Sequence, residues 1–167
     1  MKPKKILVMG VSGCGKSLIG SQIAHALQMP FFDGDDFHPE KNVEKMSQGV
    51  PLTDEDRQGW LETLNKLFVE QDEAVVACSA LKPRYREVLK RNNEQLVIVY
   101  LKGDFDTIWS RHQKRDNHYF TGETMLRSQF DALVEPSKEE AIYIDIRPSA
   151  KQVLKKALSA LKELENE

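Results

Sequence analysis

The chain contains very little cysteine. Only Cys14 and Cys78 occur among its 167 residues, which is too few for a disulfide framework, and Cys14 falls inside a glycine-rich loop. This pattern is typical of a protein whose thiols stay reduced, so we expect a cytoplasmic location.

Long apolar segments are missing as well. No run of about 18 apolar residues, the length that a membrane span requires, occurs in the sequence. The first five residues, Met-Lys-Pro-Lys-Lys, lead directly into a short apolar stretch without the longer apolar region of a signal peptide. We therefore expect neither export nor a membrane partner.

An excess of either charge is also lacking. The 24 basic and 26 acidic residues leave a net charge of −2, so no overall basic field attracts nucleic acid or acidic lipid. Aromatic residues make up only 8%, and basic residues are dispersed except near 114–118, so nothing indicates a nucleic-acid partner. Any affinity for anions must come from a local site.

The length, with no repeat or linker, predicts a single domain over 1–167.

What the chain does contain is a phosphate-binding motif near its start. The stretch Gly10-Val-Ser-Gly-Cys-Gly-Lys-Ser17 has the form G-x-x-x-x-G-K-[ST], follows the apolar run 6–9 and precedes a helical pattern over 18–27. Glycines let successive backbone N–H groups turn toward an anion, and the start of the helix adds further donors. Lys16 would reach the β and γ phosphates and Ser17 would bind Mg²⁺. The predicted nucleotide-binding residues are Gly10, Val11, Ser12, Gly13, Cys14, Gly15, Lys16, Ser17 and Leu18.

The remaining sequence alternates between strand and helix patterns. Besides 6–9, strands are predicted at 28–32, 74–78, 96–101 and 141–145, and helices at 39–46, after the Thr53 cap, after Pro83, from Gly103-Asp104, at 125–134 and from Pro148. This order predicts an α/β fold of the P-loop NTPase type, similar to nucleoside monophosphate kinases. Its five-stranded parallel sheet would carry helices on both faces. The polar, basic segment 113–123 lacks a core-facing pattern and is predicted to be a mobile lid.

The class of P-loop protein follows from what accompanies the loop. No N-K-x-D sequence of the kind that reads guanine follows a strand, and no acidic Walker B residue ends the third or fourth strand. Small size, an acidic cluster after the second strand and the basic lid favour a small-molecule phosphotransferase. Three carboxylates within Asp33-Gly-Asp-Asp36 also need a metal or hydrogen-bond donors to satisfy them.

Several further motifs resemble one kinase family. They are the P-loop, Asp33-Gly-Asp-Asp-Phe-His-Pro39 with Asn42 and Lys45-Met46, Gly49-Val-Pro-Leu-Thr-Asp-Glu-Asp-Arg57 with Trp60-Leu61, Cys78-Ser-Ala-Leu-Lys82 with Tyr85-Arg86, and Ser128-Gln-Phe130 with Glu135-Pro136. In this order and over nearly the whole chain, they are similar to bacterial gluconate kinases (gluconokinases). Cys14 departs from a small residue in the family's loop, and Tyr119 varies an aromatic position in the lid.

The resemblance implies roles for the acidic cluster. Asp33 would hold a Mg²⁺-bound water, and Asp35 would orient the acceptor hydroxyl and take its proton. Asp36 is the alternative to Asp35, because the two are adjacent and the sequence does not say which faces inward. An Asx turn that caps a helix is the competing structural interpretation of these aspartates.

Gluconate is a carboxylate with many hydroxyl groups, so its site should contain a fixed arginine and several other polar groups. The candidates, in addition to Asp35, are His38, Lys45, Arg57, Lys82 and Arg86. Each of these cations could instead be a solvated surface charge, and His38 could be a polar residue at a helix start.

Three further residues are candidates for nucleotide contacts. Arg111 and Arg115 are four residues apart, hence on one helical face, and could reach the phosphates when the lid closes. Arg147-Pro148 resembles the segment that lies along adenine in related kinases. The alternatives are an ordinary charged helix face for the first pair and a helix start for the second.

The implied activity is ATP- and Mg²⁺-dependent phosphorylation of D-gluconate at its terminal primary hydroxyl, giving 6-phosphogluconate. Phosphorylation of shikimate, a nucleoside or adenylylsulfate is the nearest alternative, and a nucleotide-binding regulatory module is an alternative of another class. The family resemblance also implies a homodimer.

Overall fold

The structure is a computed structural model that describes residues 3–113 and 122–165, without the side chain of residue 112. Its centre is a five-stranded sheet in the order β2-β3-β1-β4-β5. All neighbouring strands are parallel, as the alternating pattern predicts. The strands are β1 (Lys5–Met9), β2 (Phe31–Asp33), β3 (Ala74–Ala77), β4 (Val97–Lys102) and β5 (Ala141–Asp145).

Helices cover both faces of the sheet within the described residues. They are α1 (Lys16–Leu27), α2 (Glu40–Ser47), α3 (Asp54–Glu70), α4 (Pro83–Lys90), α5 (Phe105–Gln113), α6 (Glu123–Ala132) and α7 (Ala150–Glu165). A short 3₁₀ helix, Gly34–Phe37, follows β2. The predicted P-loop NTPase fold is confirmed.

Alternating side chains of the central strands divide the core in two. In β1, Ile6 and Val8 pack with α1 and α7 on one face, while Leu7 and Met9 pack with α3 and α4 on the other. Each of these four side chains is fully buried. Burial on both faces is what a continuous apolar strand predicts.

Several element boundaries differ from the sequence prediction, and two of them have a clear local reason. Strand β2 begins at Phe31, later than predicted, because Gln28 takes a left-handed conformation (φ 58°) that ends α1. Helix α7 begins at Ala150 and not at Pro148, and the Ser149 hydroxyl accepts a hydrogen bond from the Gln152 N–H in its first turn.

The predicted lid lies between α5 and α6. Residues 114–121 of that segment are outside the described residues, so the lid and the single domain that includes it remain predictions. Across 3–113 and 122–165, no helix is both long and apolar enough to cross a bilayer.

Candidate active site

The P-loop joins the end of β1 to α1 and wraps closely on itself. Gly15 has φ 96°, a left-handed conformation that favours glycine, and it immediately precedes the first residue of α1. A Cβ on Gly10 would lie 2.5 Å from the Cys14 sulfur and 3.0 Å from the Leu101 carbonyl oxygen. Cys14 is therefore a buried packing residue of the loop.

The strand order brings the acidic cluster that follows β2 close to the P-loop. The Ser17 hydroxyl in the first turn of α1 donates a hydrogen bond to Asp33 Oδ2 (2.8 Å) at the end of β2. The other carboxylate oxygen, Asp33 Oδ1, accepts a hydrogen bond from the Asp35 backbone N–H (3.0 Å) and caps the 3₁₀ helix. The cap predicted as the structural alternative is therefore present, and it leaves Asp33 beside Ser17.

The 3₁₀ helix separates the two adjacent aspartates. Asp35 turns into a pocket that Lys16 also lines, whereas Asp36 is exposed and does not line it. Burial raises the pKa of Asp35; the nearby Lys16 charge partly opposes this rise, and Asp33 and Asp36 add to it. A carboxylate with a raised pKa is a stronger base, which suits a proton acceptor.

This pocket, here called the acceptor pocket, lies between the P-loop, the 3₁₀ helix, α3 and α6. Charged, polar and apolar side chains all contribute to its wall. Its lining residues are Lys16, Asp35, His38, Met46, Pro51, Leu52, Arg57, Trp60, Ser79, Leu81, Met125, Ser128 and Gln129.

His38 is held rigidly at the wall of the acceptor pocket. Its ring stacks on Trp60 with a centroid distance of 4.0 Å, and its side chain is 3% exposed. Asn42 Nδ2 donates to the Asp56 carbonyl (2.8 Å) and lies 3.2 Å from His38 Nδ1. Because an amide nitrogen can only donate, Nδ1 is the acceptor and the ring proton lies on Nε2, which is 3.8 Å from Asp35 Oδ1.

Burial, with Arg57 nearby, lowers the pKa of His38 to about 4. The imidazole is therefore neutral near pH 7. It presents a fixed hydrogen-bond donor beside Asp35.

Arg57 is the predicted guanidinium that the fold does bring to the acceptor pocket. Its Nη1 donates to the Leu52 carbonyl (2.8 Å) and to the Tyr85 hydroxyl (3.1 Å). These contacts hold a planar cation at the wall of the pocket that Lys16 also lines. A carboxylate is the group that such a fork binds best.

The other three predicted substrate cations do not line this pocket. Lys45 pairs with Asp56 (2.8 Å) and Lys82 pairs with Asp54 (3.0 Å), both at the N-terminal end of α3. Arg86 is 2% exposed and is used inside the fold. Its guanidinium donates to the carbonyls of Ala80 (2.8 Å) and Val134 (3.0 Å) and to the Glu140 carboxylate (3.2 Å).

The Arg86 contacts have a structural consequence for the site. Ala80 has φ 47°, a strained left-handed conformation for a residue with a Cβ. The bond from Arg86 to its carbonyl holds that turn, whose neighbours Ser79 and Leu81 line the acceptor pocket. Arg86 therefore positions the pocket wall without entering the pocket.

A second cavity, here called the base pocket, lies on the other side of the P-loop. Its lining residues are Gly13, Cys14, Gly15, Leu18, Ile19, Arg111, Ile146, Pro148, Ser149, Ala150 and Val153. Arg111 donates to the Ile146 carbonyl (2.7 Å) and stays at the pocket wall. Arg147 instead points to solvent and pairs with Asp145 (2.7 Å), so only Pro148 of the predicted adenine segment lines the cavity. Arg115 lies outside the described residues.

Several lining residues had no predicted role. Gln129 of α6 accepts a hydrogen bond from the Ser12 backbone N–H (2.6 Å), and Trp60 donates to the Gly34 carbonyl (2.7 Å). Gln129 carries a signal in the sequence, because it falls on the same buried helical face as Met125 and Leu126. A polar residue on an apolar face calls for a specific partner.

The pair Ser17 and Asp33 fits a magnesium ion. Among the described residues, no group of three or more acidic, histidine or cysteine side chains could enclose a metal on its own. Mg²⁺ does not need one, because it keeps several waters and binds through one or two carboxylates together with substrate phosphates. A hydroxyl and a carboxylate 2.8 Å apart at the phosphate end of the loop meet that requirement.

The fold and the site define a P-loop kinase with separate pockets on the two sides of its phosphate-binding loop. A family model described as shikimate kinase matches residues 12–162. Solved structures of shikimate kinases are similar in fold only: the enzyme from Aquifex aeolicus is 17% identical, with a TM-score of 0.63.

Several proteins of higher sequence identity are gluconokinases. The thermosensitive gluconokinase of Escherichia coli is 42% identical, and the alignment covers 96% of this chain and 89% of that protein. The gluconokinase of Arabidopsis thaliana is 39% identical over 86% of this chain and 84% of its own length. The crystal structure of a gluconokinase from Sinorhizobium meliloti is 38% identical, has a TM-score of 0.92, and the match covers 98% of this chain and 95% of that one. The chain belongs to the gluconokinase family.

Proposed function

We propose that this protein transfers the terminal phosphoryl group of ATP to the terminal primary hydroxyl of D-gluconate, giving 6-phosphogluconate. The observation that supports this most directly is the acceptor pocket, in which Lys16, Asp35 and Arg57 line one cavity. It combines a cation for the transferred phosphate, a base for the attacking hydroxyl and a guanidinium for the substrate carboxylate. The identity of the substrate is inferred from the relatives, which are gluconokinases.

The substrate lies with its two ends at opposite walls of the acceptor pocket. Arg57 binds the carboxylate of gluconate, and His38 Nε2–H donates to a hydroxyl along its carbon chain. The terminal hydroxyl then lies against Asp35, which takes its proton as the oxygen attacks the γ phosphorus in line. Because Asp35 is partly shielded from water and its pKa is raised, it accepts that proton more readily than an exposed aspartate would.

The nucleotide occupies the P-loop and the base pocket. Backbone amides of 10–18 and the Lys16 side chain hold the phosphates, and Arg111 and Pro148 lie where the adenosine end would rest. Ser17 and, through water, Asp33 would hold Mg²⁺, which neutralises charge on the β and γ phosphates when it is bound. Arg115 and the lid over 113–123 would close on the phosphates and exclude water as a competing acceptor.

A cytoplasmic homodimer is the proposed assembly. It follows from the family resemblance and from a sequence with two cysteines in a 167-residue chain. Sedimentation of the purified protein checks the dimer, and a single species at the mass of one chain would contradict it.

The proposed reaction is tested with a panel of acceptors. ADP release is measured with ATP and Mg²⁺ in the presence of gluconate, shikimate, a nucleoside or adenylylsulfate, and without acceptor. We expect turnover with gluconate at least 100-fold above every other condition, because the acceptor must place a carboxylate at Arg57 and a hydroxyl at Asp35 together. A nucleoside has no carboxylate, and the ring of shikimate holds its carboxylate and hydroxyls at a different spacing. Turnover with another acceptor alone, or equal hydrolysis in all conditions, would reject the assignment.

A further inference from the structure

We propose that Gln129 binds the terminal phosphoryl group of the nucleotide through its side-chain amide nitrogen. The proposal deepens the proposed function, since it adds a contact to the same phosphoryl transfer. Gln129 lies on α6, far from the P-loop in sequence, and is 7% exposed.

One end of the Gln129 amide is already fixed by the P-loop. Its Oε1 accepts a hydrogen bond from the Ser12 backbone N–H at 2.6 Å. A backbone N–H can only donate, so this contact determines which end of the amide is oxygen. Helix α6 is thereby fastened to the loop, and the carboxamide cannot rotate without losing this buried hydrogen bond.

The other end of the amide remains available to a ligand. Among the described residues, none accepts a hydrogen bond from Gln129 Nε2, although the side chain is more than nine-tenths buried. The same residue lines the acceptor pocket together with Lys16 and Asp35. Its two N–H groups therefore remain for an acceptor inside that cavity.

The ligand that fits this position is a phosphate oxygen. Nε2 belongs to the same amide as Oε1, which contacts the loop backbone at Ser12. Gln129 and Lys16 line the same pocket, so Nε2 lies close to the place where Lys16 would hold a phosphate. Charge that builds on the transferred group is stabilised by donors already in place, and a fixed neutral amide supplies two of them without adding to the positive charge of Lys16. ADP has no group at this place, whereas ATP does.

This difference between nucleotides gives the test. Gln129→Glu retains an oxygen that accepts from the Ser12 N–H, but replaces the donor with a second, negatively charged oxygen. We expect the affinity for a non-hydrolysable ATP analogue to fall about tenfold or more relative to the affinity for ADP, because a donor to a charged group is lost. Affinities are measured by titration calorimetry with Mg²⁺ and without acceptor, so the result does not depend on which acceptor the enzyme uses.

Two further variants complete the experiment. Gln129→Met keeps the length of the side chain and removes both polar ends, so it should weaken both nucleotides and still lower the ratio of analogue to ADP affinity. Gln71→Glu is a matched change of charge at the C-terminal end of α3, just before the start of β3, whereas the P-loop follows the end of the parallel strand β1; it should leave the ratio unchanged. Melting temperatures of all variants verify that they are folded.

The outcomes separate the alternatives. A fall in the affinity ratio for Gln129→Glu, together with a fall in kcat of at least tenfold, supports the contact. Equal losses for both nucleotides would mean that Gln129 only fastens α6 to the loop, and would overturn the proposal. If the parent protein fails to phosphorylate gluconate, the proposed function fails, yet the ratio still decides whether Gln129 reads the terminal phosphate.

Discussion

Asp35 and Asp36 are chemically identical neighbours in very different surroundings. Asp35 lines the acceptor pocket beside Lys16, and burial raises its pKa, while Asp36 faces solvent. Of the two, Asp35 is the one that shares a cavity with Lys16, where the proposed reaction places the acceptor hydroxyl. Geometry thus favours Asp35 as the base.

The pair supports a matched prediction. Asp35→Asn should lower kcat by about 10²- to 10⁴-fold, the usual contribution of a general base, while Asp36→Asn should stay within a few-fold of the parent. Steady-state ADP release with saturating ATP and gluconate measures both. A parent-like kcat in Asp35→Asn, or a larger loss in Asp36→Asn, would assign the proton acceptor elsewhere.

The raised pKa of Asp35 also predicts how kcat/KM depends on pH. The base must be ionised to act, so the acidic limb of kcat/KM for the parent should lie above the pH expected for an ordinary aspartate. A limb at the ordinary position would show that Asp35 is not the group that titrates.

His38 gives a further prediction at the level of one residue. Because burial lowers its pKa to about 4, the folded protein keeps it neutral in a range where the unfolded chain protonates it. The unfolded state then binds more protons between about pH 6.5 and 4. Its contribution to stability is complete above that window and decreases as the pH falls through it, by about 3 kcal/mol at most.

The measurement is NMR of the imidazole nitrogens during a pH titration. We expect the Nε2-protonated tautomer at pH 7, because Asn42 donates to Nδ1, and no titration of His38 above pH 5. Asn42→Asp offers Nδ1 an acceptor instead, so it should raise the pKa of His38 and reverse the tautomer. A parent histidine that titrates near its ordinary value would contradict the geometry.

Among the elements, the 3₁₀ helix Gly34–Phe37 determines where Asp35, the proposed base, lies. Its first residue packs against the end of β3: a Cβ on Gly34 would lie 2.5 Å from the Ala77 carbonyl oxygen and 3.3 Å from the Cys78 Cβ. Trp60 of α3 also donates to the Gly34 carbonyl. The helix that carries Asp35 is therefore clamped between β3 and α3.

Gly34→Ala tests this clamp. The added methyl group meets backbone and not a flexible side chain, so the 3₁₀ helix must shift away from β3. We expect a loss of stability of about 1–3 kcal/mol and a fall in kcat of about 100-fold, because small misplacements of reacting groups are costly. Gly59→Ala is the control: its methyl group meets open space on α3 and should stabilise the helix by about 0.5–1 kcal/mol. Equal kcat values for the two variants would contradict the clamp.

Regular elements were predictable from the sequence because their patterns repeat. The apolar run of β4 and the spacing of Trp60, Leu61, Leu64 and Phe68 on α3 each bury a continuous surface, and both elements form as predicted. The four-residue 3₁₀ helix has no such repeat. It depends on the Asp33 cap and on space left by Gly34, so the orientation of Asp35 follows only from tertiary packing.

The same reasoning explains which site residues were found. A P-loop is a local motif whose backbone does the binding, so sequence suffices to place it. Arg57, Lys45 and Arg86 all looked like substrate cations, but only Arg57 lines the acceptor pocket. Lys45 meets Asp56, and Arg86 meets the carbonyl of Val134, partners from other elements of the fold. A pattern of residue types does not specify such partners.

At the scale of the whole molecule, the P-loop contributes to two cavities that the proposed reaction fills together. Lys16 and Asp35 line the acceptor pocket, while Gly13 and Gly15 line the base pocket on the far side of the loop. Each ligand that binds only the folded state stabilises it, by about 2.7 kcal/mol at a concentration 100 times its Kd. For a chain of this size, that corresponds to a rise in Tm of roughly 5–10 °C.

Lys16→Ala should separate the two contributions to that rise. The substitution removes the cation that meets the phosphates, so it should abolish phosphoryl transfer and most of the stabilisation by ATP with Mg²⁺. Arg57 and His38, which also line the acceptor pocket, are unchanged in this variant, so a rise in Tm with gluconate alone should persist. Differential scanning fluorimetry of parent and variant with each ligand measures both effects. If the variant keeps the full shift with ATP, or transfers phosphate at the parental rate, the loop does not hold the triphosphate through Lys16.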